Sequence, residues 1–504
     1  MRIDRPLLAG LLVLAGALAP WHAVAQECVP QEVHDPPRFP ATRGATLTMA
    51  PDTYRVGGRQ FVTNVYNRNF LGPTLTMEAG ERVVLSVVNA MRETSSQPAA
   101  TTAWTNLHYH GLVVTPSPDS ADNVTHVHID RDAPPRPYHF PVPDYHTRGM
   151  FWYHPHPHGI STSQVAGGLS GALLVGSILR YFPEYERMRP RLRERVLLIR
   201  DMSFDFMTSP QLLNVNGSTC AALRIAPGER QLWHIGNFGS NHFVNLKLQG
   251  MRWTLLAMDG NPLRSATAVD SLWLPPGSRA EVIVIGPPAG TRARLYSAPF
   301  FPIGPQQDSL PVVLGYLVSS GLARPQPPLR APAGADASVV DTVHFLRQAE
   351  DVGRHTFRFH FPSQTTAAVN DTVYGPKDPP VNVPWGQVQE WTIINGSPAL
   401  HTFHIHQTDF LVVSVNGREV PFESLRDNVP IGVHRDGTGR TVGDTVVVRF
   451  VFEKIAAGPF VFHCHVLQHE DEGMMHNVCV YDPKDPDGPN KCNAMFSGGS
   501  AHGH

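Results

Sequence analysis

The stretch MEAGERVVLSVVN (77–89) decides the fold class of this chain, because it joins a glycine turn, an alternating run and a closing asparagine. Its hydrophobic residues, beginning with Val83 and Leu85, follow the period of a half-buried β-strand. The same arrangement recurs in IAPGERQLWHIGN (225–237) and VPWGQVQEWTIIN (383–395). The three copies start about one domain length apart, which indicates three related β-sandwiches in one chain.

The composition favours the same all-β class. A chain of 504 residues is too long for one core, and 42% hydrophobic with 17% charged residues is typical of a globular protein. The 47 prolines and 42 glycines, set between short Val, Ile, Thr and Leu runs, indicate many turns. A formal net charge of -2 gives no basic field for nucleic acid or for an anionic membrane surface.

The repeat and the linker composition predict the domain boundaries. We expect sandwiches at residues 40–180, 190–325 and 340–483. A stretch rich in proline, alanine and glycine, SSGLARPQPPLRAPAGADAS (319–338), is typical of a linker between the second and third. The polar, turn-rich end at 484–504 is expected to be a loose tail.

The N-terminus, residues 1–25, has the pattern of a signal peptide. Arg2 and Arg5 form a basic head, an apolar stretch follows, and small residues up to Ala25 form a cleavage site. The apolar stretch is too short and too interrupted for a membrane span. We therefore expect export to the periplasm or the cell exterior, without a membrane anchor.

The chain has five cysteines: Cys28, Cys220, Cys464, Cys479 and Cys492. Exported proteins keep disulfides, and an odd count leaves one thiol over. Cys464, which is flanked by histidines, is the odd one. The other four allow three pairings among which the sequence does not choose, and plain buried thiols are the alternative.

The chain has 26 histidines, and four clusters of them stand out. On a strand, residues i and i+2 project from the same face, so each His-x-His pair offers two imidazoles side by side. One such pair is more often a hydrogen-bonded buried pair, but four clusters in one chain indicate metal binding. The clusters are His108-Tyr-His110, His154-Pro-His156-Pro-His158, His401-Thr-Phe-His404-Ile-His406, and His463-Cys464-His465 followed by His469.

The residue types favour copper over zinc. Zinc sites take about four Cys or His ligands, and these clusters overfill one or two of them. One kind of copper site combines two histidines and a thiolate in a plane with a weak axial methionine. Cys464, His469 and Met474 supply the thiolate, one imidazole and the thioether, and His401 from a neighbouring strand supplies the second imidazole. Met475 is the competing thioether, but the spacing favours Met474.

The stretch FVFHCHVLQHEDEGMM (460–475) connects this site to another. On an extended segment Cys464 points to one face while His463 and His465 point to the other. One strand can therefore bind copper through sulfur and contact further metals through two imidazoles, which gives electrons a short covalent route. The remaining eight histidines suit three coppers at the interface of the first and third sandwiches. They are His108, His110, His154, His156, His404, His406, His463 and His465.

Four motifs resemble the copper signatures of the multicopper oxidases, specifically the three-domain laccase-like enzymes of bacteria. They are HYHG (108–111), WYHPHPHG (152–159), HTFHIH (401–406) and HCHVLQHEDEGMM (463–475). The resemblance spans roughly residues 40–480. It implies three cupredoxin-like Greek-key domains, with the middle one free of copper, and four copper ions: one type 1, one type 2 and two type 3.

The resemblance also implies ligands and a reaction. Type 1 copper takes His401, Cys464, His469 and axial Met474; type 2 takes His108 and His404; one type 3 copper takes His110, His154 and His465, and the other takes His156, His406 and His463. The type 1 copper would accept electrons from phenols or aromatic amines, and the other three would reduce dioxygen to water. An axial methionine is similar to bacterial laccases and bilirubin oxidases and implies a lower potential than leucine or phenylalanine there.

Members of this family use carboxylates near the cluster as proton sources. Glu470 matches one such position, directly after His469. The second lies within TPSPDSADNV (115–124), where Asp122 is our choice and Asp119 the alternative. Either aspartate is otherwise an ordinary turn or surface acid.

The chain departs from the family pattern at two positions of the third motif. Thr402 stands where proline is common, and Gln407 stands where glycine is common. Because neither is a ligand, the departures bear on pocket shape and potential rather than on copper binding. His126, His128 and His158 are additional histidines, which we interpret as structural or surface residues, with a secondary metal site as the weaker alternative.

Two other functions remain open at this point. One is a metallo-oxidase that protects the periplasm from Cu(I), although the 13 methionines are scattered and form no methionine-rich insert. The other is a non-catalytic cupredoxin-fold protein with a structural or partner-binding role, which the intact ligand set disfavours. A copper nitrite reductase is disfavoured because those chains have two domains and assemble as trimers. We expect a monomer, and the physiological reductant is not fixed by fold.

Overall fold

The three repeated stretches form equivalent strands in the structure, a computed structural model that describes residues 28–117, 122–202, 212–299, 311–324, 337–421 and 424–497. The strands are Arg82–Asn89, Arg230–Asn237 and Val388–Asn395. Each follows a turn whose glycine has a left-handed φ, which only glycine adopts without strain. These glycines are Gly80 (φ 90°), Gly228 (φ 72°) and Gly386 (φ 82°).

The closing asparagine has the same role in all three strands. Its buried Oδ1 accepts a hydrogen bond from the backbone N–H two residues later, and its Nδ2 donates to a backbone carbonyl, that of Ile129, His242 or Ala399. Burial makes these hydrogen bonds obligatory, so the asparagine fixes where the strand ends and which way the chain turns. In the third copy, Asn395 thereby positions Ser397, four residues before His401.

Six larger sheets pair into three sandwiches, each with its own hydrophobic core. In the first, the sheets contain Arg136–Pro141, Arg82–Asn89, Ala45–Val56 and Arg59–Tyr66, and Arg38–Pro40, Thr74–Met77, Gly171–Val175, Gly149–His154 and His108–His110. In the second, they contain Leu212–Val215, Arg193–Met202, Arg230–Asn237, Arg279–Ile285, Trp253–Met258 and Asn261–Val269, and Gln31–Glu32, Ala221–Ile225, Val312–Ser319, Arg292–Ser297, Val244–Leu248 and Leu272–Leu274. In the third, they contain Ala368–Val369, Val352–His360, Val388–Asn395, Thr445–Val451, Leu411–Val415 and Arg418–Glu419, and Val381–Pro384, Met475–Tyr481, Gly458–Cys464, His401–Ile405 and Asn428–Ile431.

The remaining elements are short. Two-stranded ribbons join Trp104–Thr105 to Ile129–Asp130 and Val433–Arg435 to Thr441–Gly443. The described helices are Ser161–Ala166, Pro183–Glu186, Ala337–Gln348, Leu467–Asp471 and Gly488–Ser497, with 3-10 turns at Ala99–Thr101, Ile178–Tyr181, Arg189–Arg191 and Lys454–Ala456. The all-β class predicted from the sequence, with three cupredoxin-like sandwiches, is confirmed. No helix in the described parts of the chain is long and apolar enough to cross a membrane.

The structure resolves the cysteine pairing that the sequence left open. Disulfides join Cys28 to Cys220 and Cys479 to Cys492, and Cys464 is free and buried. The first disulfide lies beside the strand Gln31–Glu32, which pairs with the second sandwich rather than the first.

The expectation of a loose tail from residue 484 is wrong for residues 488–497. They form the helix Gly488–Ser497, whose buried Cys492 and Phe496 pack with Cys479 and Tyr481. Composition alone missed this because one disulfide and one aromatic side chain anchor an otherwise polar segment. The expected signal peptide, and most of the expected linker at 319–338, lie outside the described residues.

The two disulfides should contribute unequally to stability. The Cys28–Cys220 bond closes a loop with a sequence separation of 192, against 13 for Cys479–Cys492. Loss of the first should cost about 5 kcal/mol and loss of the second about 3 kcal/mol, because a longer closed loop restricts the unfolded chain more. Denaturant unfolding of the two double Cys→Ser variants tests this, and equal losses would contradict the loop-length argument.

Candidate metal centre

Cys464 and two histidines form the first candidate site, inside the third sandwich. Cys464 ends the strand Gly458–Cys464, and the short helix Leu467–Asp471 that follows carries His469 back over it. His401 begins the neighbouring strand His401–Ile405. The three residues are buried, at 0% exposure for Cys464 and His401 and 3% for His469. The strand, turn and helix therefore bring a thiol and two imidazoles together away from water.

The distances in this group fit a trigonal copper site. The Cys464 Sγ lies 3.6 Å from His401 Nδ1 and 3.5 Å from His469 Nδ1, and the two Nδ1 atoms are 3.3 Å apart. Metal–ligand bonds of about 2.0 to 2.3 Å in a trigonal plane place the ligand atoms about 3.5 Å from one another. The triangle therefore has the size that one ion needs.

The two candidate thioethers lie in different surroundings. Met474 is fully buried in the same hydrophobic cluster as Cys464, and its carbonyl accepts a hydrogen bond from the Cys464 N–H. Met475 packs in a separate cluster with Tyr374 and Val461. Of the two methionines, Met474 therefore shares its surroundings with Cys464, and its axial role stays a prediction.

Strand pairing brings the remaining histidines into register. In the first sandwich His154 lies opposite His108 on the adjacent strand. In the third sandwich His404 lies opposite His463. His404 is an odd number of residues from His401, so it projects from the other face of its strand. The second site therefore lies behind the Cys464 group, where the first and third sandwiches meet.

At this interface the rings of the two sandwiches interleave. His108 stacks on His406, and His110 stacks on His404, each with ring centroids 3.9 Å apart. His465 Nε2 lies 3.2 Å from His110 Nδ1. Ring nitrogens and one carboxylate close enough to share an ion form four groups among the described residues: His108, His404 and His406; His108, His110 and His154; His156, His406 and His463; and His110, His404 and Asp427.

The donor set of this second site fits metal ions. Several buried ring nitrogens have no hydrogen-bond partner among the described residues, among them Nε2 of His108, His154 and His404. The opposite nitrogen of each of these rings is held, by the Asp122 carboxylate or by a backbone carbonyl. A histidine that ligates a metal commonly has its other ring nitrogen held in this way. Buried nitrogens without a partner are costly, and bound ions would satisfy them.

Three multicopper oxidase family models match the chain, at residues 49–178, 185–290 and 347–484. The chain belongs to the multicopper oxidase family. "Multicopper oxidase mco" of Staphylococcus aureus is 24% identical over 439 residues, which are 82% of this chain and 83% of that protein. "Laccase" of Bacillus subtilis is 22% identical over 501 residues, covering 83% and 90%.

Solved structures of multicopper oxidases share the fold. A metallo-oxidase from Campylobacter jejuni has a TM-score of 0.69 at 22% identity, covering 89% of this chain and 96% of that chain. A laccase-like enzyme of Ochrobactrum sp., CueO, has a TM-score of 0.68 at 22% identity, covering 89% and 100%. The predicted family is thus confirmed, and with it an oxidoreductase that binds copper and uses dioxygen as acceptor.

The titration behaviour of this multicopper oxidase suits metal binding. Burial lowers the pKa of His154 and His156, and neighbouring imidazoles lower it further, to about 3 for His154 and about 4 for His156. These two rings are therefore neutral at pH 7, which is the form that ligates a metal. Burial raises the pKa of the Cys464 thiol to about 12, and a bound metal would deprotonate it.

Two of the predicted acids lie beside the histidine rings. The Glu470 carboxylate is buried, 3.1 Å from His463 Nδ1 and 3.5 Å from His156 Nδ1. The Asp122 carboxylate lies 3.0 Å from His108 Nδ1, and burial raises its pKa to about 7. Asp119, the alternative to Asp122, lies outside the described residues.

Sequence reasoning missed Asp427, which contacts both sandwiches' histidines. Its backbone carbonyl accepts from His404 Nδ1, and its Oδ1 lies 3.4 Å from His110 Nε2. Asp427 also explains the glycine of HYHG, because a Cβ on Gly111 would lie 2.4 Å from Asp427 Oδ2. In the sequence, Asp427 is marked only by its place directly before the strand Asn428–Ile431, which pairs with the strand that carries the third motif.

The second sandwich also reaches the site, which the sequence did not suggest. Arg279 is fully buried, and its guanidinium donates two hydrogen bonds, of 2.8 and 2.7 Å, to the Asp427 carboxylate. It also donates to the carbonyl of Met150 in the first sandwich. One arginine thus ties all three sandwiches together next to the histidines.

The additional histidines take part in other contacts. His158 packs edge-on against Tyr374, His128 stacks on Trp104, and His126 Nε2 lies 3.0 Å from the Met495 carbonyl oxygen. None of the three belongs to a candidate metal group in the described parts of the chain.

The buried carboxyl group of Asp409, at the junction of the three sandwiches, should make the folding stability depend on pH. Burial raises the pKa of Asp409 to about 7, despite a hydrogen bond from Asn261, and the side chain lines a cavity of about 420 Å³. Between about pH 4 and 7 the folded state holds a proton that the unfolded state has lost, so stability falls as pH rises, by at most about 1.4 kcal/mol per pH unit.

The Asp409→Asn variant should lack this contribution. Its stability relative to the wild type should therefore improve as the pH is raised from about 4 to about 7, as measured by denaturant unfolding of the copper-loaded proteins. Asp270→Asn, at a carboxylate that is 75% exposed, is the matched control. A wild-type-minus-variant difference that stays constant over this range would contradict the assignment.

Proposed function

We propose that this chain is a laccase-like oxidase, which removes electrons singly from phenols or aromatic amines at the Cys464 group and reduces dioxygen to water at the histidine group. The observation that carries the proposal is the strand Gly458–Cys464. Its last residue belongs to one donor group, and His463 and His465 on either side belong to the other. The two groups are therefore connected by a few covalent bonds.

Four copper ions would occupy these groups. The type 1 ion is assigned to His401, Cys464, His469 and Met474, the type 2 ion to His108 and His404, one type 3 ion to His110, His154 and His465, and the other to His156, His406 and His463. Support comes from the last of these sets, whose three ring nitrogens lie within 4.8 Å of one another. Bound copper would supply one-electron acceptance at the first group and oxygen reduction at the second.

The protein around the Cys464 group restricts where a reductant can approach. Ser397 Oγ lies 2.7 Å from His401 Nε2, which closes the outer edge of that ring. Phe361 is half-buried and lies edge-on to His469, with ring centroids 4.9 Å apart. His469, at 3% exposure, is then the nearest ring to solvent. A flat aromatic reductant can approach it beside Phe361.

The acids beside the histidine group would handle the protons that water formation needs. Asp122 can hold or release a proton near neutral pH because burial raises its pKa to about 7. Glu470 lies between His156 and His463, so it orients those rings as well as offering a carboxylate. Of the two sequence candidates in residues 115–124, we assign the role to Asp122.

Export to the periplasm or the cell exterior agrees with the two disulfides, which persist in oxidising compartments. We propose that the protein acts as a monomer on small reductants, without nucleic acid or membrane partners. Neither proposal depends on the identity of the reductant.

A metallo-oxidase acting on Cu(I) is the second candidate, since the Campylobacter jejuni structure carries that description. Oxygen uptake by the copper-loaded protein separates the two. We expect uptake with 2,6-dimethoxyphenol. Uptake with Cu(I) alone would instead establish the metal-protection role, and a copper-loaded protein inert to both would contradict an oxidase function.

A further inference from the structure

Gln407 occupies a backbone position that favours glycine. Its φ is 65°, in the left-handed region, and glutamine adopts this conformation only when its surroundings hold it there. The residue directly follows His406 and is 3% exposed. A strained, buried polar residue beside a candidate ligand indicates that the side chain has a role.

The Gln407 side chain crosses from the third sandwich to the first. Its Oε1 accepts a hydrogen bond of 3.0 Å from the Val114 N–H, and its Nε2 donates one of 2.9 Å to Asp122 Oδ2. The same Nε2 lies 3.5 Å from the Asp122 carbonyl oxygen. One amide thus contacts both Val114 and Asp122.

Asp122 in turn holds His108. Its Oδ1 and Oδ2 lie 3.0 and 3.1 Å from His108 Nδ1, and its Oδ1 accepts from the Tyr109 N–H. His108 Nε2, on the other side of the ring, has no hydrogen-bond partner among the described residues. The ring itself stacks on His406. Two consecutive residues, His406 and Gln407, therefore contact both members of the His108–Asp122 pair.

We propose that Gln407 is a positioning residue that fixes the Asp122 carboxylate on His108 Nδ1 and so aims His108 Nε2 at the type 2 copper. The inference rests on the proposed function only for the identity of that ion. Glycine would relieve the backbone but leave Asp122 Oδ2 and the Val114 N–H without these partners in a buried place. The left-handed backbone of Gln407 is strained, and its side-chain amide offsets that cost by holding Asp122, which in turn orients His108.

The test uses two substitutions at Gln407, one that keeps the backbone strain and one that relieves it. Gln407→Met keeps the volume and the strain but removes both hydrogen bonds, whereas Gln407→Gly removes the hydrogen bonds and the strain together. Arg68→Gly is the matched control, because Arg68 has a similar φ of 52° on an exposed turn away from the histidines. Each protein is loaded with copper, dialysed against a weak chelator and examined by EPR, optical absorption and metal analysis.

Both Gln407 variants should show an altered type 2 EPR signal and about 10- to 100-fold weaker retention of one copper, which is the usual effect of losing a residue that orients a ligand. Their blue absorption from the Cys464 site and the behaviour of Arg68→Gly should match the wild type. If Gln407→Met fails to fold, Gln407→Gly gives the same readout from an unstrained backbone.

Wild-type EPR signals and copper retention in both Gln407 variants would overturn the inference while leaving the proposed function intact. A wild type that binds no copper would overturn both. Loss of copper from the Cys464 site and the histidine group alike would show general destabilisation, and would also overturn a positioning role for Gln407.

Discussion

Replacing Cys464 with serine should remove the intense blue absorption and lower phenol oxidation by more than about 100-fold. Changes to residues that only orient a ligand already cost about 10- to 100-fold, and this change removes the thiolate itself. Because Cys464 projects away from the histidine group, the variant should lose one copper and keep the others. Optical absorption, metal analysis and oxygen uptake with 2,6-dimethoxyphenol measure the three effects.

Met475→Leu is the matched control for Cys464→Ser. Met475 is buried close by in sequence, but it packs with Tyr374 and Val461 rather than with Cys464. It should retain colour and activity. A Cys464→Ser protein that stays blue, or one that loses all of its copper, would contradict the placement of Cys464 and the histidines on opposite faces of one strand.

Replacing Arg279 with methionine should lower the free energy of unfolding by about 3 to 5 kcal/mol. The guanidinium is fully buried and compensates Asp427, with Asp259 Oδ1 3.8 Å away. Removing one partner of a buried ion pair leaves an uncompensated charge, which is the costly case. Denaturant unfolding of the copper-loaded protein measures the loss, and the histidine group should release copper more readily because Asp427 contacts His110 and His404.

Arg224→Met provides the comparison for Arg279→Met. Arg224 pairs with Glu32 at the surface, where the two side chains are 55% and 53% exposed. Exposed pairs contribute about 0 to 1 kcal/mol, so this variant should remain close to the wild type. Equal losses from the two substitutions would contradict the claim that the buried pair of Arg279 and Asp427 stabilises the junction of the three sandwiches.

The features that could be predicted from the sequence are those set by local periodicity. The repeated strand, its glycine turn and its asparagine depend on residues within thirteen positions, and they form as expected in all three sandwiches. The placement of Cys464 and His463 on opposite faces follows from the two-residue period of a strand. Histidines on such strands could be proposed as metal ligands without knowledge of how the domains pack.

The features that could not be predicted depend on contacts between distant segments. Arg279 and Asp427 are far apart in the chain and belong to different sandwiches, and neither lies in a histidine motif. Gln407 was noted as a departure from the family pattern, but its partner Asp122 is 285 residues away. The cysteine pairing and the C-terminal helix likewise depend on tertiary contacts that composition does not encode.

We propose that the strand Gly458–Cys464 joins two kinds of copper site. The most direct test is an EPR spin count combined with metal analysis and an optical spectrum of the copper-loaded wild type. We expect four copper ions per chain, an intense blue band, and two EPR-visible coppers with different hyperfine splittings. A colourless protein, or one that binds copper only at the histidine group, would contradict it.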